Sequence, residues 1–287
     1  MDTEVGGIAP ILERGATESQ GSSLGFRRGY AAMTKIVSIH SYRGGTGKSN
    51  LTANLATAVA CRGHRVGIVD TDIQSPGIHV IFNLDEKMIN RALNDYLYGN
   101  CAIADTAYHI PIPEVQEKNG AVYLIPASTK AGEIAKFLKE GYDVGILNDG
   151  FQDLAEQLKL DYLFIDTHPG LNEETLLSIA ISDLFLLILR PDQQDFQGSA
   201  VTVEVARKLN VQQMYLIINK ALTSLDFPQM RKLVENTYHT TVAGIFPLSE
   251  EMLLLGSRGL FSLQNPHHAW TKELNLVADL VMALDAK

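Results

Sequence analysis

The sequence predicts an α/β protein built as a mostly parallel, twisted sheet with helices on both faces. From Lys35 onward, short apolar runs alternate with stretches of helical period, the pattern of a parallel sheet covered on both sides. The runs are apolar throughout, as strands buried on both faces are. The chain also has material for such a core, since 287 residues that are 46% hydrophobic and 20% charged suffice for one large domain.

Composition narrows the functional classes. No run reaches the roughly 18 apolar residues of a membrane helix; the most apolar one, Leu184 to Leu189, stops at Arg190 and Pro191. The opening Met1-Asp2-Thr3-Glu4 lacks the basic start and apolar core of a secretory leader. Cys61 and Cys101 are too far apart for a CxxC pair or a metal cluster and read as reduced thiols. A soluble, cytoplasmic chain is therefore expected. The net charge of −9 argues against a surface that is basic all over and leaves room only for a local basic patch.

Residues 1–34 are rich in Gly, Ser, Thr and Glu without a sustained period and read as a flexible tail ahead of one domain over 35–287. That domain opens with a strand at Ile36 to Ile39, a glycine-rich turn from Tyr42 to Gly47, and a helix from Ser49 to Arg62 carrying Leu51, Leu55, Ala58 and Val59 at helical spacing. Gly63 ends the helix, and Val66 to Val69 forms the next strand, closing on Asp70. The stretch Glu86 to Pro113 is irregular and is expected on the ligand-facing rim. Further strands are predicted at Ala121 to Ile125, Tyr162 to Ile165, Leu184 to Leu189, Met214 to Ile218 and Val242 to Phe246. Helices are predicted at Ile146 to Leu158, Phe196 to Leu209, Gln229 to Thr237 and Ala269 to Leu284.

The strongest chemical signal is Arg43-Gly44-Gly45-Thr46-Gly47-Lys48-Ser49 between a strand and a helix. Glycines let the backbone curl so that several N–H groups face one anion, and the helix N-terminus adds positive potential. Lys48 can then reach the outer phosphates and Ser49 can ligate magnesium, and Asn50 is taken as a further candidate nucleotide contact. A glycine-rich turn with a chance lysine is the plain alternative, and the flanking strand and helix argue against it. Tyr42 stands where an ordinary phosphate loop has its first glycine. With Arg43-Gly44-Gly45 the segment instead resembles the deviant Walker A loop of the ParA/MinD family of partition and positioning ATPases, Lys-Gly-Gly-x-Gly-Lys-Thr/Ser. Arg43 replaces the family's signature lysine, which in those dimers reaches the partner's nucleotide. An arginine keeps the charge and adds bidentate phosphate contact, so Arg43 is either a finger acting in trans or a surface arginine beside the loop.

The second strand delivers Asp70-Thr71-Asp72 to the same sheet edge as the loop. Two carboxylates there can orient water and hydrate magnesium, or cap a helix. The segment resembles the family's switch I motif, which implies that Asp72 positions the attacking water and that Asp70 lies nearer the metal. Tyr162 to Asp166 followed by Thr167-His168-Pro169-Gly170 resembles Walker B and switch II, which implies that Asp166 holds magnesium opposite Ser49. His168 replaces the common first proline and receives no catalytic role, because a lone histidine beside a proline reads as packed or solvated. Asn219 ends a strand with an amide suited to an adenine edge. The resemblance puts Asn219 on the base and Pro247 beside the ring; alone, they read as a turn residue and a strand breaker.

The resemblance covers about Lys35 to the C-terminus. It implies a P-loop NTPase of the deviant Walker A type that binds ATP and Mg2+, hydrolyses ATP slowly through Lys48, Asp72 and Arg43, and forms a homodimer in the ATP state. It also implies a cargo adaptor or ATPase-stimulating partner, and the positioning or partition of DNA, a division site or a large assembly. The alternative is an ATP-gated regulatory or scaffold protein with little hydrolysis, suggested by the missing signature lysine and the altered switch II. Related iron–sulfur carriers need paired cysteines that Cys61 and Cys101 do not provide. The last helix has an apolar stripe of Leu274, Val277, Leu280, Val281 and Leu284 flanked by Glu273, Asp279 and Asp285, which reads as docked on the core rather than on a membrane. Nonspecific DNA is a candidate surface through Arg207, Lys208, Lys220, Arg231, Lys232 and Arg258, although such residues equally favour helix C-termini.

Overall fold

The computed structural model describes residues 34–283. The expected tail up to residue 33 lies outside the described residues, as do residues 284–287 with Leu284 and Asp285. Among the described residues eight strands run in chain order as β1 (Lys35–His40), β2 (Arg65–Asp70), β3 (Tyr108–Ile110), β4 (Ala121–Ile125), β5 (Tyr162–Asp166), β6 (Leu184–Leu189), β7 (Met214–Ala221) and β8 (Val242–Pro247). They form one 8-stranded sheet in the order β3-β4-β2-β5-β1-β6-β7-β8. Every pairing is parallel except β3 with β4, so the predicted α/β class is observed.

The principal helices are α1 (Lys48–Ala60), α2 (Ala131–Glu140), α3 (Gly145–Gln157), α4 (Glu173–Ile181), α5 (Gln193–Lys208), α6 (Phe227–Tyr238), α7 (Glu250–Leu255) and α8 (Ala269–Met282). They cover both faces because side chains alternate along each strand. In β6, Leu184, Leu186 and Ile188 join the core beneath α1 and α8, while Phe185, Leu187 and Leu189 join the core beneath α5 and α6. On the first face α8 buries Trp270, Leu274, Val277 and Val281, and Arg62 ties it to α1 through Asp279 at 2.8 Å. The C-terminal stripe, as far as it lies among the described residues, is therefore docked on the core. Among the described residues, no helix is long and apolar enough to cross a membrane.

Two differences from the sequence reading have physical causes. The stretch from Glu86 to Pro113, expected on the ligand-facing rim, meets the C-terminal end of β4 where the Leu93 N–H donates to Pro126 O at 2.8 Å, but it also supplies an edge strand and core residues on the β4 side of the sheet. Leu93, Leu97 and Ile103 are buried with Leu147, Phe151 and Leu154 of α3, and β3 closes the sheet edge against β4. A three-residue edge strand has too little local pattern to be predicted, since only its partner makes it a strand. The second difference is α4, which follows directly on switch II: Asn172 caps it by accepting from the Thr175 N–H at 2.9 Å, and its apolar residues merge with the next strand in a sequence scan.

Candidate functional site

The C-terminal ends of β1, β2 and β5 lie side by side, so the topology gathers their loops at one edge. The phosphate-loop candidate, residues 41–47, joins β1 to α1. Gly47 has φ +91°, and a Cβ there would lie 2.6 Å from Asn219 Nδ2, so both conformation and space require glycine. Asn219 Nδ2 donates to Thr46 O at 2.8 Å, and Lys220 Nζ donates to Gly45 O at 2.7 Å. Asn219 Oδ1 also accepts the Lys220 N–H at 2.9 Å. The asparagine expected on the base edge thus has one N–H committed to bracing the loop and one acceptor site to the backbone of its own neighbour. Lys220, read among the DNA-binding candidates, is a brace as well. Tyr42 packs on α5 at Gly198, where a Cβ would come within 1.9 Å of the ring. Beside the loop, Gly47, Asn50, Asn219, Pro247, Leu248 and Met252 line a cleft, and Asn50 Nδ2 donates to Ser257 Oγ at 3.2 Å.

The carboxylates converge below the loop. Asp70 and Asp166 are register partners on β2 and β5, and both are 0% exposed. Lys48 Nζ donates to Asp166 Oδ1 at 2.8 Å, whereas Asp166 Oδ2 is buried with no partner among the described residues. Asp70 accepts the Asp72 N–H on Oδ1 at 3.0 Å and the Gly77 N–H on Oδ2 at 3.3 Å, holding the connection after β2 in place. Burial first, and then the Asp166 carboxylate beside it, push the Asp70 carboxyl up to about 8.

Asp72 Oδ1 accepts the Ser75 N–H at 3.1 Å and lies 2.6 Å from His168 Nδ1. His168, set aside in the sequence as packed or solvated, instead touches the carboxylate assigned to water. No local signal in the sequence announces this contact, which strand adjacency makes: with Asp70 opposite Asp166, residues 72 and 168 leave neighbouring strands at the same height. Behind it, Thr167 Oγ1 donates to Ile39 O at 3.0 Å and lies 2.7 Å from His40 Nδ1. The hydroxyl has only one proton, so His40 Nδ1 must be the donor to it. Burial lowers the His40 imidazole to about 3, with Lys48 adding to the effect, so the ring is neutral.

Arg43 is turned back onto its own chain. Its Nη1 donates to Gln194 Oε1 at 2.5 Å and lies 3.8 Å from Asp195 and 3.9 Å from Asp192, with the side chain 41% exposed. Several other basic residues are engaged too. Arg207 bonds the carbonyls of Tyr238 and His239 beyond α6, Arg231 bonds Val242 O, Lys208 pairs with Glu204 at 3.2 Å, and Arg258 Nε donates to Leu255 O at 3.1 Å. Each of these four side chains reaches a carbonyl or carboxylate of its own chain.

The chain as a whole is similar to known proteins. A family model described as an AAA domain, AAA_31, matches residues 34–223. An uncharacterized ATP-binding protein of Methanocaldococcus jannaschii is 27% identical over 216 residues, 75% of each chain. An iron–sulfur cluster carrier protein of Clostridium perfringens is 27% identical over 197 residues, 63% of this chain and 62% of that one. Among solved structures, the septum site-determining protein MinD of Pyrococcus horikoshii, complexed with Mg-ADP, matches with a TM-score of 0.74 at 22% identity. It covers 88% of this chain and 98% of the other.

Proposed function

The chain belongs to the ParA/MinD family of P-loop ATPases, and from that premise we propose that it is a dimeric switch that binds ATP, hydrolyses it slowly, and positions or partitions a cellular cargo. The observation that carries this reading is the buried Lys48–Asp166 pair at 2.8 Å beneath a braced glycine loop, with Asp72 on the neighbouring strand end. In this reading the N–H groups of Gly44 to Ser49 and the Lys48 ammonium take the phosphates, Lys48 exchanging Asp166 for phosphate oxygens. Asn50, Asn219 and Pro247 line the place of the base.

The donor set fits magnesium. Asp166 Oδ2 is a buried oxygen without a partner among the described residues, the Ser49 hydroxyl follows Lys48 in the first turn of α1, and Asp70 adds a further carboxyl opposite Asp166 on the neighbouring strand. Ser49 and Asp166 would hold the ion, with Asp70 supporting from the next strand. When bound, magnesium supplies neutralisation of charge on the phosphate oxygens. The protein's own part is positioning: Asp72 orients water in line with the leaving group, and Arg43 approaches the partner's nucleotide once freed from Gln194.

The test is the solution mass of wild type and Asp72→Ala by light scattering, with ADP and with ATP plus magnesium, alongside ATP turnover. An ATP-specific dimer that Asp72→Ala traps without turnover is the expected result. A mass indifferent to nucleotide would refute the switch. The arrangement of Arg43 favours a second reading, an ATP-gated scaffold with little hydrolysis, because its guanidinium is held in cis by Gln194, Asp192 and Asp195. Turnover that depends on Arg43 would exclude that scaffold. An iron–sulfur carrier role has less support: Cys61 closes α1 at the end remote from the loop, and Cys101 lies in the connection before β3.

A further inference from the structure

We propose that His168 is a positioning residue for ATP hydrolysis, its Nδ1–H fixing the Asp72 carboxylate so that Oδ2 is the oxygen presented to the attacking water. The inference rests on the reading of Asp72 as the water-orienting group. Three observations point to it. First, Nδ1 lies 2.6 Å from Asp72 Oδ1; an ionised carboxylate only accepts, so Nδ1 donates. Second, Oδ1 already accepts the Ser75 N–H at 3.1 Å, so its acceptor capacity is used within the chain, and Oδ2, which accepts no hydrogen bond from the described residues, is left for a ligand. Third, the histidine is itself held. Its carbonyl lies 3.3 Å from Thr175 Oγ1, and the preceding Thr167 is fixed between Ile39 O and His40.

The Asp72 and His168 side chains are only 11% and 20% exposed, so water competes little for the bond. The contact spans two separate connections, the one after β2 and the one after β5. A shift of either segment therefore changes the aim of the carboxylate. A proline at position 168 has no donor to offer, so this chain carries a restraint on Asp72 that a proline-bearing switch II lacks.

The experiment uses the full-length chain and compares steady-state ATP turnover with equilibrium ATP affinity. The variants are His168→Ala, His168→Asn, His168→Gln, Asp72→Ala and the double variant Asp72→Ala/His168→Ala. Loss of a charge-assisted hydrogen bond that aims a reacting group is expected to lower kcat of His168→Ala about tenfold, with affinity within about twofold of wild type. His168→Asn, whose amide N–H occupies the place of Nδ1, restores most of kcat, and the double variant is no slower than Asp72→Ala. Wild-type kcat in His168→Ala, or a loss that Asn does not restore, overturns the inference while an inactive Asp72→Ala leaves the underlying reading intact. An active Asp72→Ala, or a wild type without turnover, removes both. Should His168→Ala fail to fold, Asn against Gln gives the same contrast, because the longer amide carries its N–H past the Nδ1 place. Equal kcat in those two variants overturns the proposal.

Discussion

Lys48→Ala probes how the site is held together before any nucleotide arrives. The Lys48 ammonium lies 2.8 Å from Asp166 Oδ1, and the two side chains are 7% and 1% exposed. At an effective dielectric of about 20, unit charges at that distance attract by about 6 kcal/mol, and desolvation of the pair cancels much of it. The alanine variant loses more than an attraction, because it strands the fully buried Asp166 beside the fully buried Asp70. Removing one partner of such a pair costs about 3–5 kcal/mol. Urea unfolding followed by circular dichroism at pH 7, without nucleotide, should show that deficit. The double variant Lys48→Ala/Asp166→Asn should recover more than half of it, since the stranded charge is gone. A single variant that loses no more than the roughly 1 kcal/mol typical of an exposed pair, or a double variant less stable than the single one, would refute the reasoning.

Gly198→Ala gains about 1 kcal/mol of helix propensity but forces a methyl against Tyr42, an overpacking of about 1–3 kcal/mol. Net destabilisation and weaker nucleotide binding are expected in thermal unfolding and fluorescent-nucleotide titration, and a stabilised variant with unchanged affinity would contradict the contact. Asn219→Ala removes the donor to Thr46 O and should weaken ATP binding about tenfold, or about 1.4 kcal/mol; Asn219→Asp should be worse, because it sets a carboxylate against a carbonyl. His40 gives a pH signature. Its folded value lies near 3 against 6.5 unfolded, so the unfolded chain binds the extra proton and stability is lost as pH falls below 6.5. Between pH 7 and 5 that linkage amounts to about 2 kcal/mol. His40→Asn should lack this part of the slope in denaturation measured at both pH values; an unchanged slope would exclude His40 as its source.

The sequence singles out the glycine loop, Lys48, Asp72 and Asp166 as candidates because each sits in a contiguous segment with a recognisable spacing, and the fold brings them to one sheet edge. The parallel class was legible for the same reason, from runs such as Leu184–Leu189. What the sequence did not disclose depends on strand order. β5 is inserted between β1 and β2, and only that insertion brings His168 to Asp72. Lys220 looked like a surface base because its target is a carbonyl of a distant loop. Arg43 could be weighed only as a finger or a surface residue, since its partner Gln194 is on α5. Side-chain contacts across β1, β5 and β7 are tertiary facts with no local period to announce them.

The sheet order also bears on how the chain is made. Of the eight described strands β1 leaves a ribosome first, yet its partners are Tyr162–Asp166 and Leu184–Leu187, so it waits for two strands that are synthesised much later. The glycine loop leaves the tunnel early as well and stays without its two braces until Asn219 and Lys220 follow. Such long-range closure is slow to nucleate, and a ligand that binds only the closed form pulls the equilibrium toward it. Nascent chains arrested ahead of residue 219 should therefore fail to retain nucleotide, and chains arrested well beyond Pro247 should retain it. Nucleotide capture would then mark completion of the sheet during synthesis.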